Sequence, residues 1–202
     1  MSQTTDAIGI ANSHWGVCGF TSAFQALYKA NVGRQPLIHG AGIPTKVLAE
    51  IKTYLVTLKA EGKLGLLQEI ETFTRSFPKT QKGTDFSNFT IDSYITLINN
   101  AVATKQSDEQ LLWNEELHSI GMPPRAVVDY LDRMWQKPAT LSLFDTNRTG
   151  IIGVKRDQRP MYGGLCHYMY RHNQKIHSWG QTFPSVAAAN PNYTVICTIE
   201  FQ

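Results

Sequence analysis

"HWGVCGFTSAFQALY", residues 14–28, is the stretch on which the fold turns. Phe20, Phe24 and Leu27 recur at helical spacing, and Gly33 follows, so a helix is predicted over 18–31. Cys18 then sits in its first turn. The unpaired N–H groups and positive dipole end of a helix N-terminus favour a thiolate. Gly16 and Gly19 leave room for a backbone or a substrate carbonyl to come close. The competing reading is a plain core thiol, because free cysteine is among the most buried residue types.

Working outward, the N-terminal flank "MSQTTDAIGIANS" has neither a basic segment nor a long apolar one, so no secretory signal is expected. The chain is expected to stay in the cytoplasm of the producing cell, or to leave by a signal-independent route. No run approaches the roughly 20 apolar residues of a membrane span. The 202 residues carry a net charge of +3 and are 17% charged and 42% hydrophobic, an ordinary composition for a folded domain. Basic residues never run beyond pairs, which argues against a nucleic-acid partner. Three cysteines, Cys18, Cys166 and Cys197, are too few and too odd in number for a disulfide framework.

C-terminal to the quoted stretch, apolar periodicity predicts helices over 44–60, 63–75 and 89–104. "SFPKTQKGTDFSN" separates the last two as a loop. A short helix opens at Ser107, with Gln110 completing a capping box, and another follows Pro123 and Pro124. After Pro138 the runs become short and β-branched or aromatic: "ATLSLFD", "GIIGVKR", "HYMYRH", "KIHSWGQTF" and "NYTVICTIEF". The expected architecture is α+β in a single domain, 1–202: a helical part, with an insertion at about 40–138, packed on an antiparallel sheet at about 139–202.

A nucleophilic thiol needs a histidine base, and that base needs an orienting group. Of the six histidines, His39 falls in a loop and His118 at a helix C-terminus, where the dipole accounts for it. His14 lies four residues from Cys18. The other three lie in "CHYMYRHNQKIHSWGQ", which reads as a hairpin with His172 at its exposed tip. His167, Met169 and Arg171 share one strand face. An odd number of unpaired turn residues places His177 and Trp179 on that face; an even number places Ser178 there instead. Gln181 shares the parity of His177. Cys166 points away from His167, and it and Cys197 read as core thiols.

"GVCGFTSAFQALY" resembles the nucleophile segment of papain-like thiol hydrolases, and "HYMYRHNQKIHSWG" resembles the strand–turn–strand that carries their base and orienter. The tetrad His177-Ser178-Trp179-Gly180 is similar to their Asn-Ser-Trp-Gly, with His177 in place of Asn. The Cys-His-His order is closest to the NlpC-type cell-wall peptidases. Their common Asp-Cys-Ser-Gly is replaced here by Val17-Cys18-Gly19, and the resemblance covers about residues 10–31 and 150–202. It implies a papain-like fold with Cys18, His167 and His177 as catalytic residues, Asn12 in the oxyanion hole with Gly19, and Trp179 and Gln181 near the substrate. No cofactor or metal is implied.

The implied activity is amide hydrolysis, with peptidoglycan peptide as substrate. It would be exerted by an antibacterial effector delivered by a route such as type VI secretion and paired with an immunity protein. An alternative is a protease or deamidase effector acting on a protein target. A third is a non-catalytic or metal-binding module, with His14, Cys18, Cys166, His167 and His177 as conceivable zinc ligands.

Overall fold

The computed structural model describes residues 2–29, 41–80, 83–113, 118–156 and 161–201; the side chains of residues 2–6, 13, 14 and 113 are also outside that description. His39 therefore lies outside the described residues, as does the side chain of His14. The fold is α+β. Helices α1 (Ser2–Trp15), α2 (Cys18–Lys29), α3 (Ile43–Ala60), α4 (Leu64–Arg75), α5 (Ile91–Thr104), α6 (Asp108–Trp113) and α7 (Pro124–Trp135) come first. Strands β1 (Ala139–Ser142), β2 (Gly150–Lys155), β3 (Leu165–His172), β4 (Lys175–Ser178), β5 (Gln181–Phe183) and β6 (Thr194–Phe201) follow, with α8 (Val186–Ala189) before the last. The sheet is antiparallel throughout, in the order β1-β6-β2-β3-β4-β5.

The predicted helices from α2 to α7 are present within a few residues of their expected bounds. Val47, Ile51, Leu55 and Leu58 form the fully buried face of α3, as their spacing requires. Ser107 Oγ accepts from the Gln110 N–H at 3.1 Å, while Gln110 Oε1 reaches back to the N–H of Gln106, one residue before the expected cap. Helix α1 was not expected. Ile8, Ala11, Asn12 and Trp15 fall at i, i+3, i+4 and i+7 and are all buried.

Each face of the sheet has its own core. The helix-facing side carries Ile151, Tyr168, Tyr170 and Ile199, continuous with the buried residues of the helices. The far side carries Ile152, Val154, Met169 and Ile176 under Phe183, Val186 and Tyr193. Within the helical layer, Phe20, Tyr54 and Tyr130 meet edge-to-face at 5.1–5.9 Å between ring centroids. Each such pair adds about 0.5–1.5 kcal/mol beyond area burial. The Tyr54 hydroxyl donates to Ala126 O, and the Tyr130 hydroxyl to Glu50, so α3 and α7 are tied at both ends of this cluster.

Two tight turns set the register near the site. Tyr170 pairs with His177 and His172 with Lys175, leaving only Asn173 and Gln174 unpaired. Both have positive φ (49° and 61°), the type I′ pattern. The run "KIHSWGQTF", expected as one strand, is two, because Trp179 (φ 50°) and Gly180 (φ 74°) form a second such turn with Ser178 opposite Gln181. Glutamine is costly in left-handed backbone where glycine is not. Gln174→Gly is therefore expected to raise unfolding stability by about 0.5–1 kcal/mol, read as a higher urea midpoint at unchanged m-value.

Candidate active site

The α1–α2 corner presents Cys18. Gly16, at φ +62°, closes α1 by donating its N–H to Asn12 O at 2.9 Å. Val17 O then accepts from the N–H groups of Phe20 and Thr21, both at 3.1 Å, which makes Cys18 the first helical residue. The residue is half-buried, but its thiol is turned inward and meets the backbone N–H groups of Tyr168, Gly19 and Cys18 itself. Those dipoles act in the expected direction, but burial outweighs them and pushes the thiol up to about 11. A thiolate at neutral pH, as the helix N-terminus alone suggested, is not what the structure favours. Gly19 is also reassigned. A Cβ there would stand 2.8 Å from Met122 Cβ, so this glycine admits Met122 rather than a substrate carbonyl.

His167 lies on β3, opposite Val154. Its Nε2 is 2.8 Å from Ser178 Oγ, in a buried hydrogen bond. The Trp179 ring stacks on the imidazole at 4.5 Å with 6° between planes. Burial lowers the His167 pKa to about 3, so the ring is neutral at pH 7. The two-residue turn decides between the candidate orienters: the even count places Ser178, not His177, on the face of His167. His177 sits on the helix-facing side opposite Tyr170 and bonds Thr182 Oγ1 at 2.9 Å. Lys29, at the far end of α2 from Cys18, is among the charges that lower its pKa to about 4, after burial. His177 therefore does not reach His167 or Cys18.

One cavity of about 460 Å³ is lined by Cys18, His167, Asn12, Cys166 and Trp179. Its lining includes Leu165, Cys166, His167 and Tyr168 at the start of β3, although strand alternation turns the His167 ring toward the side of Val154 and Met169, away from α2. Val154 pairs with His167 but Lys155 with Leu165, so Cys166 is the extra residue of a β-bulge. The bulge brings Cys166 to the cavity wall, half-buried, with its thiol on Val154 O at 3.3 Å, where sequence alternation alone had made it a core residue. Asn12 is 5% exposed, and its Oδ1 has no hydrogen-bond partner. Gln181 is exposed on the edge strand and does not line the cavity. No known protein family, curated protein or solved structure matches this chain. Its chemistry has to be read from the residues around this cavity.

The loop between α4 and α5 contributes what the sequence did not announce. Phe77 and Phe86 come from it, and with Phe73 they form an aromatic wall of the same cavity. The signal was there in three phenylalanines around a Pro/Gly loop, but nothing in their spacing tied them to Cys18.

Glycine also governs how the turn under His167 is held. A Cβ on Gly9 would stand 1.9 Å from Gly180 N and 2.9 Å from the Trp179 carbonyl carbon. Helix α1 therefore presses on the backbone that carries Trp179. Gly9→Ala is expected to lower stability by about 1–3 kcal/mol although alanine is the better helix former, because the obstacle is backbone. Urea unfolding of this variant checks it.

Several other expectations are settled by contacts. Arg171 is held by Asp145 through two bonds of 2.6 and 3.0 Å, which anchor the β1–β2 loop. His172 is half-buried against the Tyr170 hydroxyl at 3.2 Å rather than exposed. His118 is fully buried edge-on to Trp15, and burial lowers its pKa to about 4. It is neutral, so a charge–dipole contact does not explain it. All three cysteines are free, and Cys197 is buried. Among the described residues no group of three or more His, Cys, Asp or Glu side chains is placed to hold a metal ion. His177 lies apart from Cys18 and His167, which removes it from the conceivable zinc set. Among the described residues no helix is long and apolar enough to cross a membrane.

Proposed function

We propose that the protein is a papain-like cysteine hydrolase that cleaves amide bonds, with Cys18 as nucleophile, His167 as general base and Ser178 as the orienter of that base. The observation that carries this reading is the shared cavity: Cys18, at a helix start, and His167, whose Nε2 lies 2.8 Å from Ser178 Oγ, are both among its lining residues. With Nε2–H donating to Ser178 Oγ, the Nδ1 lone pair is the one left to accept a proton. Thiol and imidazole are both neutral at rest, so deprotonation accompanies attack instead of preceding it. Sγ bonds to the substrate carbonyl carbon as its proton passes to Nδ1. The Cys18 N–H and the Asn12 side-chain amide, turned to present its NH₂, donate to the oxyanion. The proton then passes to the leaving amine, and water, activated by His167, releases the acid from the thioester. Resting contacts of a catalytic base are often loose and tighten in the substrate complex.

A second reading is a non-catalytic module of the same fold. The raised thiol pKa, and a base turned to the side of the sheet away from α2, favour it. Incubating the purified protein with a library of peptide amides separates the two. Hydrolysis that stops when Cys18 is alkylated supports the enzyme. Absence of hydrolysis across the library supports the module.

A further inference from the structure

We infer that the aromatic wall beside Cys18 selects the substrate, taking a bulky apolar side chain, aromatic or branched aliphatic, next to the scissile amide. This rests on the cysteine-hydrolase reading and gives that site its substrate class. The wall is built by the helical region, not by the parts that carry the chemistry. Phe73 and Phe77 meet at 5.1 Å between centroids, and Phe86 meets Phe77 edge-to-face at 6.5 Å. Ile120 and Met122 complete the apolar surface.

The arrangement is held from behind. Phe73 abuts Tyr162 edge-to-face at 4.9 Å, and the Tyr162 hydroxyl donates to Glu69 at 2.6 Å. Gly121 N–H donates to Thr74 Oγ1 at 3.0 Å, and a Cβ on Gly121 would stand 2.7 Å from the Phe77 ring. Tyr168 donates its hydroxyl to Met122 O at 3.0 Å, which pins the same segment to the sheet beside Cys18. A preformed, mostly apolar cavity with few polar groups converging on one end is the usual form of a ligand pocket. Among the described residues that line it, none carries a carboxylate, and Lys79, at the exposed loop, supplies the only side chain of fixed charge. A carboxylate-rich peptide, such as a peptidoglycan stem, would lose hydration against the phenylalanines, with Lys79 the one cation among the described lining residues to offset it. A peptide with phenylalanine or leucine at that position loses nothing and buries apolar surface.

Peptidyl chloromethyl ketones carrying Phe, Leu, Ala, Glu or Lys beside the reactive carbon test this, with the rate of Cys18 alkylation followed by intact mass and peptide mapping. The Phe and Leu probes are expected to react roughly 100-fold faster than the Ala probe, with the charged Glu and Lys probes slowest. Phe77→Ala is expected to narrow the Phe-over-Ala ratio by about tenfold. Equal rates across the wild-type series, or fastest reaction with Glu or Lys, would overturn the inference and leave the hydrolase reading standing. Failure of every probe to modify Cys18 would overturn both.

Discussion

Replacing Cys18 by alanine is expected to lower kcat on a peptide amide by roughly 10⁴-fold or more, with the far-UV spectrum and urea midpoint close to those of the parent. His167→Ala is expected to fall nearly as far. The double variant should be no worse than either single one, because nucleophile and base act as one unit. The third member separates what the sequence left open. Ser178→Ala removes the hydroxyl that bonds Nε2 at 2.8 Å, and kcat should drop by roughly 10-fold to 100-fold as the ring loses its tautomer and orientation. His177→Gln removes a ring that bonds Thr182 on the other face of the sheet, and kcat should be unchanged. A large loss at His177 with none at Ser178 would mean that the hairpin register differs from the two-residue turn described here.

The second large effect is on stability in acid. His118, His167 and His177 are 0%, 7% and 7% exposed, and burial lowers their pKa values to about 4, 3 and 4. The folded state thus holds three neutral imidazoles that the unfolded chain protonates below about pH 6.5. Between that point and about pH 4 the unfolded state binds more protons, so stability rises with pH across the window and falls as acid is added. Each histidine contributes at most about 1.4 kcal/mol per pH unit, and the three together about 4 kcal/mol per unit. A domain of ordinary stability, about 5–15 kcal/mol, loses most of it before pH 4. Asp108 and Asp145 are held low, chiefly by side-chain hydrogen bonds from Thr45 and Arg171 respectively, and lose their contribution only at still lower pH. Urea midpoints should therefore be level above pH 7 and fall steeply between pH 6 and 4. Replacing His118 by phenylalanine should flatten the fall by about a third; a flat profile in the parent would contradict three buried neutral rings.

Much of the scaffold was legible because it rests on local periodicity. The faces of α3, α5 and α7, and the change from helix to strand after Pro138, follow from apolar spacing alone. Helix α1 was passed over because its buried face is built from Ile8, Ala11, Asn12 and Trp15, in a stretch whose small and polar residues hide a helical stripe. Cys18 and His167 were singled out by residue type and order, Asn12 and Trp179 by the papain-like resemblance, and all four line one cavity. The orienter was not singled out, because a strand face depends on turn length, and a one-residue change in the turn exchanges His177 for Ser178. Cys166 escaped for a related reason. A bulge breaks the alternation from which its direction was read, and bulges leave no mark in a single sequence. Neither did the sequence show that burial would override the helix dipole at Cys18, since that balance depends on what packs over the thiol.

In the proposed reaction Cys18 forms a covalent bond to the acyl half of an amide substrate. Quenching turnover in acid within the first cycles, followed by intact mass and peptide mapping, tests it most directly. The expected result is an acyl thioester on the peptide that contains Cys18, absent from the Cys18→Ala variant and lost on return to neutral pH. Substrate hydrolysis with no acyl group on Cys18, or with the group on Cys166, would contradict it.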